Sequence, residues 1–228
     1  MVFLLQEENF RYSSVQYGLM AMAIQVGQLE HNCSIYGPHQ RTVVWTQGCT
    51  LGCKGGWNQD LWTSLGGTAM DVKQIVQDAI EAGDEGLTIL GGEPLQQPQA
   101  TLALILEAQQ HDLGIFLYTG YDFDELEGDA LRCYEASDIV VAGRYIESER
   151  NTELRWRGSS NQTVEFRTDR YKEFEFIEGN DVQITIGEDG SLTILGYPDE
   201  ALLNDLLDSE LSVDARGRIG PSSRPSSE

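Results

Sequence analysis

The chain has 228 residues, with 37 acidic against 15 basic side chains and a formal net charge of -22. Such a field repels phosphate backbones and anionic lipid, so no direct nucleic-acid or membrane partner is expected, while the length suffices for one sizeable core. The opening MVFLLQEENF has no basic region and only a short apolar run, and no later stretch approaches the roughly 18 apolar residues of a spanning helix, which predicts a cytoplasmic protein. In that compartment Cys33, Cys49, Cys53 and Cys133 are expected as thiols available for metal binding or catalysis rather than as disulfides.

Residues 1–21 show no clean period and read as a dispensable, disordered leader, with Met20 or Met22 opening the folded part. A strand-like pattern runs from Met22 to Leu29, and Thr42–Thr46 is a β-branched and aromatic run that feeds the loop carrying Cys49 and Cys53. Val72, Ile75, Val76, Ala79 and Ile80 mark one face of a helix over Asp71–Ala82, stopped by Gly83. Gly86–Leu90 is the next strand and ends in Gly91-Gly92-Glu93-Pro94. Leu102, Ile105 and Leu106 mark a helix that ends near Asp112. Ile115–Tyr118 is a strand, Asp124–Tyr134 a short helix and Asp138–Val141 another strand. This alternation predicts βαβ units, a parallel sheet and functional loops at the carboxyl ends of its strands.

After Arg144 the pattern changes to a polar stretch, then to short strands at Glu173–Ile177, Val182–Ile186 and Ser191–Leu195, the last two as a hairpin. Ala201–Leu207 reads as a closing helix, and the Pro-, Ser- and Arg-rich end from Ala215 as disordered. The expected organisation is a main unit over 22–165, a small β-hairpin and helix appendage over 166–212, and a disordered tail over 213–228.

Three cysteines spaced as Cys, three residues, Cys, two residues, Cys can hold three irons of a cubane cluster and leave the fourth open. Here Cys49 and Cys53 take the first two places and Gly56 stands in the third. Around them lie Gly37-Pro38-His39, Arg41, the strand Val43–Trp45, Gln47-Gly48 and Trp57-Asn58. Gly91-Gly92-Glu93-Pro94, Thr119-Gly120-Tyr121, Gly143-Arg144-Tyr145 and Trp156-Arg157-Gly158-Ser159-Ser160-Asn161-Gln162 follow in order. This ordered set, over roughly 22–165, resembles the radical S-adenosylmethionine (SAM) activating enzymes, and among them the activases of anaerobic ribonucleotide reductase. It departs from them at His39, where the family has Gly, and at Gly56, where it has the third ligand.

The resemblance implies an α/β fold, a partial (βα)6-type barrel with a small C-terminal β-rich appendage. It implies a [4Fe-4S] cluster on Cys49 and Cys53, with SAM held by Gly91, Gly92, Glu93 and Pro94, by Trp57 and Asn58, and by Thr119. The implied chemistry is reductive cleavage of SAM to methionine and a 5'-deoxyadenosyl radical. That radical takes a hydrogen atom from a glycine of a partner glycyl-radical enzyme such as anaerobic ribonucleotide reductase, with a flavodoxin or ferredoxin as electron donor. No catalytic acid or base is assigned, since His31, His39 and His111 show no ligand spacing. On the residues alone, Gly91–Pro94 reads first as an ordinary strand-to-helix turn, Thr119 and Tyr121 equally as a polar cap, and Arg144, Arg155 and Arg157 as partners of acidic neighbours or of another protein. For Gly56 three accounts stand: Cys33 or a histidine supplies the third bond, two thiolates bind a cluster weakly, or the chain is a SAM- or partner-binding relic without radical chemistry.

Overall fold

The computed structural model describes residues 22–56, 58–187, 192–196, 211–213 and 218–221. Strands β1 (Ala23–Cys33), β2 (Arg41–Thr46) and β3 (Thr68–Asp71) come first, then helix α1 (Val72–Ala82) and strand β4 (Gly86–Gly91). Helix α2 (Pro98–Gln110), strand β5 (Gly114–Thr119), helix α3 (Gly128–Ala136), strand β6 (Ile139–Ala142) and strand β7 (Thr163–Phe166) follow. They form one seven-stranded sheet in the order β3-β1-β2-β4-β5-β6-β7. Its centre, β2-β4-β5-β6, is parallel, as expected, but β1, β3 and β7 pair antiparallel. The sheet is open, with β3 and β7 at its edges, and three α-helices accompany it among the described residues. The six-unit barrel geometry is therefore not seen; the fold is a mixed α/β one.

The central strands are buried on both faces, which is why they read as near-continuous apolar runs. Val44, Leu87, Ile89, Ile115, Leu117 and Val140 meet the helices, whose contributions include Ile75, Val76, Leu104, Ile105 and Tyr134. Alternate residues point the other way: Val43, Trp45 and Leu90 pack with Cys33, Ile35 and Leu195, and Phe116, Ile139 and Val141 pack with Trp156 and Tyr171. Helix α1 starts where Asp71 accepts a hydrogen bond from Lys73 N (2.8 Å) and stops at Gly83, whose φ of 76° suits glycine. Pro98 opens α2 at a position that needs no backbone donor.

At the amino end of the parallel strands Arg41 is fully buried. Its guanidinium donates to Thr88 Oγ1, the Pro38 carbonyl, Tyr171 Oη and the carbonyls of Leu87 and Gly114, at 2.7–3.2 Å. Beside it Asp84 accepts from Thr42 Oγ1 (2.6 Å) and from Asn32 N, and the His31 ring lies against Thr42. His39 sits just before β2 with φ 59°, its ring tilted toward Tyr171 and edge-on to Phe174. That left-handed backbone is the physical reason the related pattern carries Gly there.

A second, four-stranded sheet has the order β10-β11-β9-β8, from β8 (Val182–Ile186), β9 (Leu192–Gly196), β10 (Leu211–Val213) and β11 (Arg218–Pro221). The expected hairpin is present as antiparallel β8-β9. Two expectations are corrected. Glu173–Ile177 forms no strand, because Phe174 and Phe176 turn in to pack around Trp156. Arg218–Pro221, read as disordered tail, pairs with β10 and β9. The leader, the helix read over Ala201–Leu207 and the rest of the tail lie outside the described residues. Among the described residues no helix is long and apolar enough to cross a membrane.

Candidate functional site

All four parallel strands deliver their carboxyl ends to one side, and the loops there enclose a cavity of about 190 Å3. The loop after β2 is pinned before it reaches the cysteines: Gly48 N donates to the Leu61 carbonyl (2.8 Å), Cys49 N to that of Trp62 (3.0 Å), and the Gln47 side chain to that of Thr63 (2.7 Å). Cys49 and Cys53 are half-buried on this loop, and both line the cavity. Burial pushes the Cys49 thiol above its ordinary pKa, with Glu93 adding to the effect. Gly56 lines the same cavity. Its backbone is outside the left-handed region, and a Cβ there would lie 3.1 Å from the Cys53 carbonyl and from Trp62 Cζ2.

The turn after β4 locks onto this loop. Gly92 N donates to the Thr46 carbonyl (2.8 Å) and Glu93 N to that of Gly48 (2.9 Å). Gly91 has φ 111° and a Cβ on it would lie 2.5 Å from Thr46 N; one on Gly92 would lie 2.3 Å from Gly48 O. The glycine pair thus admits the neighbouring backbone of the cysteine loop. Gly92→Ala is expected to push that loop out of register with β4 and to cost about 1–3 kcal/mol, readable in urea unfolding, with faster alkylation of Cys49.

Glu93 is 1% exposed. Its Oε1 accepts from Leu95 N (2.9 Å) and Thr119 Oγ1 (2.9 Å), and its Oε2 from Gly120 N (2.8 Å), so the carboxylate ties the β4 turn to the end of β5. Thr119 Oγ1 in turn accepts from Tyr121 N, and the Tyr121 hydroxyl accepts from Gln96. Burial pushes Glu93 up to about 7, against the opposing pull of those hydrogen bonds. An unfolded glutamate, near 4.5, releases its proton first as pH rises. The native state then holds the extra proton, and stability falls between about pH 4.5 and 7 by roughly 3 kcal/mol before levelling. Glu93→Gln is expected to remove that slope in urea unfolding followed across this range, and to lower stability at pH 7 because an amide cannot accept at both ends.

The Trp156–Gln162 signature closes the cavity's flank. Gln162 Oε1 accepts from Gly158 N (2.8 Å) and Ser159 N, its Nε2 donates to the Gly143 carbonyl (3.0 Å), and Asn161 donates to that of Arg144 (2.8 Å). Sequence reasoning recognised this stretch and the Gly143-Arg144-Tyr145 motif but assigned them no task, although Tyr145, Gly158 and Gln162 line the cavity; Leu51, Trp62 and Thr152 also line it and were missed, since nothing in their spacing marks them. Of the expected site residues, Cys49, Cys53, Gly91, Gly92, Glu93, Pro94, Asn58 and Thr119 come together here, and Trp57 lies outside the described residues. The arginines meet acidic neighbours: Arg144 pairs with Glu125, Arg155 with Asp181 and Arg157 with Glu178.

The third-ligand substitutes fail on position. Cys33 is paired with Arg41, at the amino end of β2, and is buried between Ile35, Val43 and Leu195. The length of β2 alone, at roughly 3.3 Å per residue, puts about 16 Å between that end and the start of the cysteine loop. His31 and His39 lie at that same far end, His111 caps α2 just before β5 begins, and Cys133 is buried in α3. Among the described residues no group of three His, Cys, Asp or Glu is placed to hold a metal.

Residues 35–165 match a family described as a 4Fe-4S single cluster domain. The chain is 31% identical over 139 residues to the anaerobic ribonucleoside-triphosphate reductase-activating protein of Haemophilus influenzae, covering 57% of this chain and 90% of that protein. It is 30% identical over 142 residues to the protein of the same name from Enterobacteria phage T4, covering 59% and 89%. Among solved structures, QueE from Escherichia coli aligns with a TM-score of 0.38 and 16% identity, over 43% of this chain and 53% of that one.

A [4Fe-4S] cluster and SAM are the cofactors of this family. The site fits SAM, offering a buried carboxylate on a cavity wall, where a cationic ligand offsets the cost of ionising it. For the cluster it offers two soft thiolate donors, Cys49 and Cys53, and at position 56 no donor atom. In its matched region and in the assembly of its loops, the chain belongs to the radical SAM activase family, with the 4Fe-4S single cluster domain over residues 35–165.

Proposed function

We propose that this chain is a cytoplasmic activase that generates a glycyl radical on a partner enzyme of the anaerobic ribonucleoside-triphosphate reductase kind, with a flavodoxin or ferredoxin as its electron donor. The observation that carries the reading is the joining of Cys49 and Cys53 to the Gly91–Pro94 turn in one cavity at the carboxyl ends of the parallel strands. When bound, the cluster and SAM supply one-electron cleavage of a sulfonium and so a radical able to take a hydrogen atom from glycine.

The chain's own residues bind and orient. Cys49 and Cys53 anchor the metal side of the cavity. Gly92 and Glu93, bonded to Thr46 and Gly48, set the distance between that loop and the SAM turn. Glu93 Oε2, which accepts from Gly120 N, has lone-pair capacity for the methionyl ammonium. Lys54 and Glu147, paired at 2.9 Å at the exposed surface, bridge the cysteine loop to the segment beyond β6.

The test is SAM binding by equilibrium dialysis, followed by anaerobic incubation of Gly56→Cys with SAM, reductant and the reductase, read by electron paramagnetic resonance. Saturable binding that Gly92→Ala weakens, with a glycyl radical on the reductase, is the expected result. Binding indifferent to Gly92→Ala, or no radical, overturns the proposal. The comparisons give no support to a catalytically impaired relic.

A further inference from the structure

We infer that Arg150 binds the carboxylate at the amino-acid end of SAM, so that together with Glu93 it makes the cavity selective for an intact α-amino acid head. The inference rests on the reading of the cavity as a SAM site and adds the second pole of its recognition. Among the described residues that line the cavity, Glu93 and Arg150 are the only acidic and basic side chains. One anion and one cation on the wall of a single cavity are the complement of a zwitterion. The carboxylate takes the ammonium, and the planar fork of the guanidinium can hold a carboxylate by two parallel hydrogen bonds. A cation is needed at that place, because a chain with a net charge of -22 repels an anionic group that enters alone.

Main-chain bonds keep Arg150 at the cavity. It faces Ser159 in an isolated antiparallel bridge, where Asn151 N donates to the Gly158 carbonyl (3.1 Å) and Ser160 N to that of Glu149 (2.9 Å). Ser159 is buried, and its hydroxyl accepts from Ile146 N (3.2 Å). Gln162 completes the frame, accepting from Gly158 N and Ser159 N and donating to the Gly143 carbonyl just past β6. The Trp156–Gln162 signature thereby gains a task, which is to clamp the Arg150 segment against the end of a parallel strand. Two other cations near the cysteine loop lie outside the cavity lining: Arg144 donates to both oxygens of Glu125 (2.6 and 2.8 Å), and Lys54 is paired with Glu147.

The experiment is equilibrium dialysis of the full chain and of Arg150→Ala, Arg150→Lys and Arg144→Ala against SAM and against decarboxylated SAM, which keeps the ammonium, sulfonium and nucleoside and lacks only the carboxylate. Arg150→Ala is expected to weaken SAM binding about tenfold, with partial recovery in Arg150→Lys, and to leave binding of decarboxylated SAM unchanged. Arg150 is exposed and its bridge is made by backbone atoms, so urea unfolding of Arg150→Ala should match that of the unmodified chain. Equal losses for the two ligands, no loss for either, or a carboxylate-specific loss in Arg144→Ala alone overturns the inference. If the unmodified chain binds both ligands equally, the inference falls and the SAM site stands; if it binds neither, the two fall together.

Discussion

Arg41→Met is expected to lower the free energy of unfolding by about 3–5 kcal/mol, among the largest single-residue effects in the molecule. The guanidinium is fully buried, and its donors serve Thr88, Tyr171 and three backbone carbonyls, of Pro38 in the loop before β2 and of Leu87 and Gly114 at the amino ends of β4 and β5. No carboxylate is among those partners; the cation is held by dipoles and by the face of the Tyr171 ring, 5.7 Å from its centroid. Methionine fills much of the volume but withdraws the buried guanidinium donors from the carbonyls of Leu87 and Gly114, a loss of about 1–3 kcal/mol for each charge-assisted hydrogen bond. Lysine restores the charge and not the planar fork, so Arg41→Lys should recover only a minor part. Gly86 is part of the same arrangement, since a Cβ on it would lie 2.7 Å from the guanidinium nitrogens. Urea unfolding of the three proteins is the measurement, and a loss below about 1 kcal/mol for Arg41→Met would show that water or repacking replaces the clamp.

Gly56→Cys is expected to convert the site from two thiolates to three and to raise cluster content. Position 56 has an ordinary backbone for an L-residue, and the crowding by Cys53 O and Trp62 asks for a shift of a few tenths of an ångström. Iron and sulfide content measured after reconstitution without oxygen should rise to one full cluster per chain, with reductive SAM cleavage appearing alongside it. Cys49→Ala in that background should abolish both. Because burial holds the Cys49 thiol above its ordinary pKa, loading must expel its proton, and iron uptake should strengthen as pH rises through neutrality. Unchanged iron content in Gly56→Cys would show that position 56 does not belong to the cluster loop.

Local chemistry made much of the main sheet and its helices legible. The helix read over Asp71–Ala82 is α1 because its apolar spacing, the Asp71 cap and the Gly83 stop all act within a few residues. Strands β2, β4, β5 and β6 were readable because burial on both faces leaves apolar runs. Strands β3 (TAMD) and β7 (TVEF) carry no such run and exist through pairing with β1 and β6, which no local window contains. The alternation at Phe174 and Phe176 was real, yet it serves an aromatic cluster on Trp156 instead of a ladder.

By itself the sequence determined the order of the loops, the identity of Cys49, Cys53, Gly91, Gly92 and Glu93, and the absence of a thiol at position 56, because these are matters of composition and spacing along one chain. The tertiary structure alone decided that Cys33 and the histidines are out of reach, that Gly92 yields to the cysteine loop, and that Glu93 braces Thr119 and Gly120. Those relations depend on which strand ends face the same way and on hydrogen bonds between segments far apart in the chain, and only the register of a packed sheet brings such groups within bonding distance.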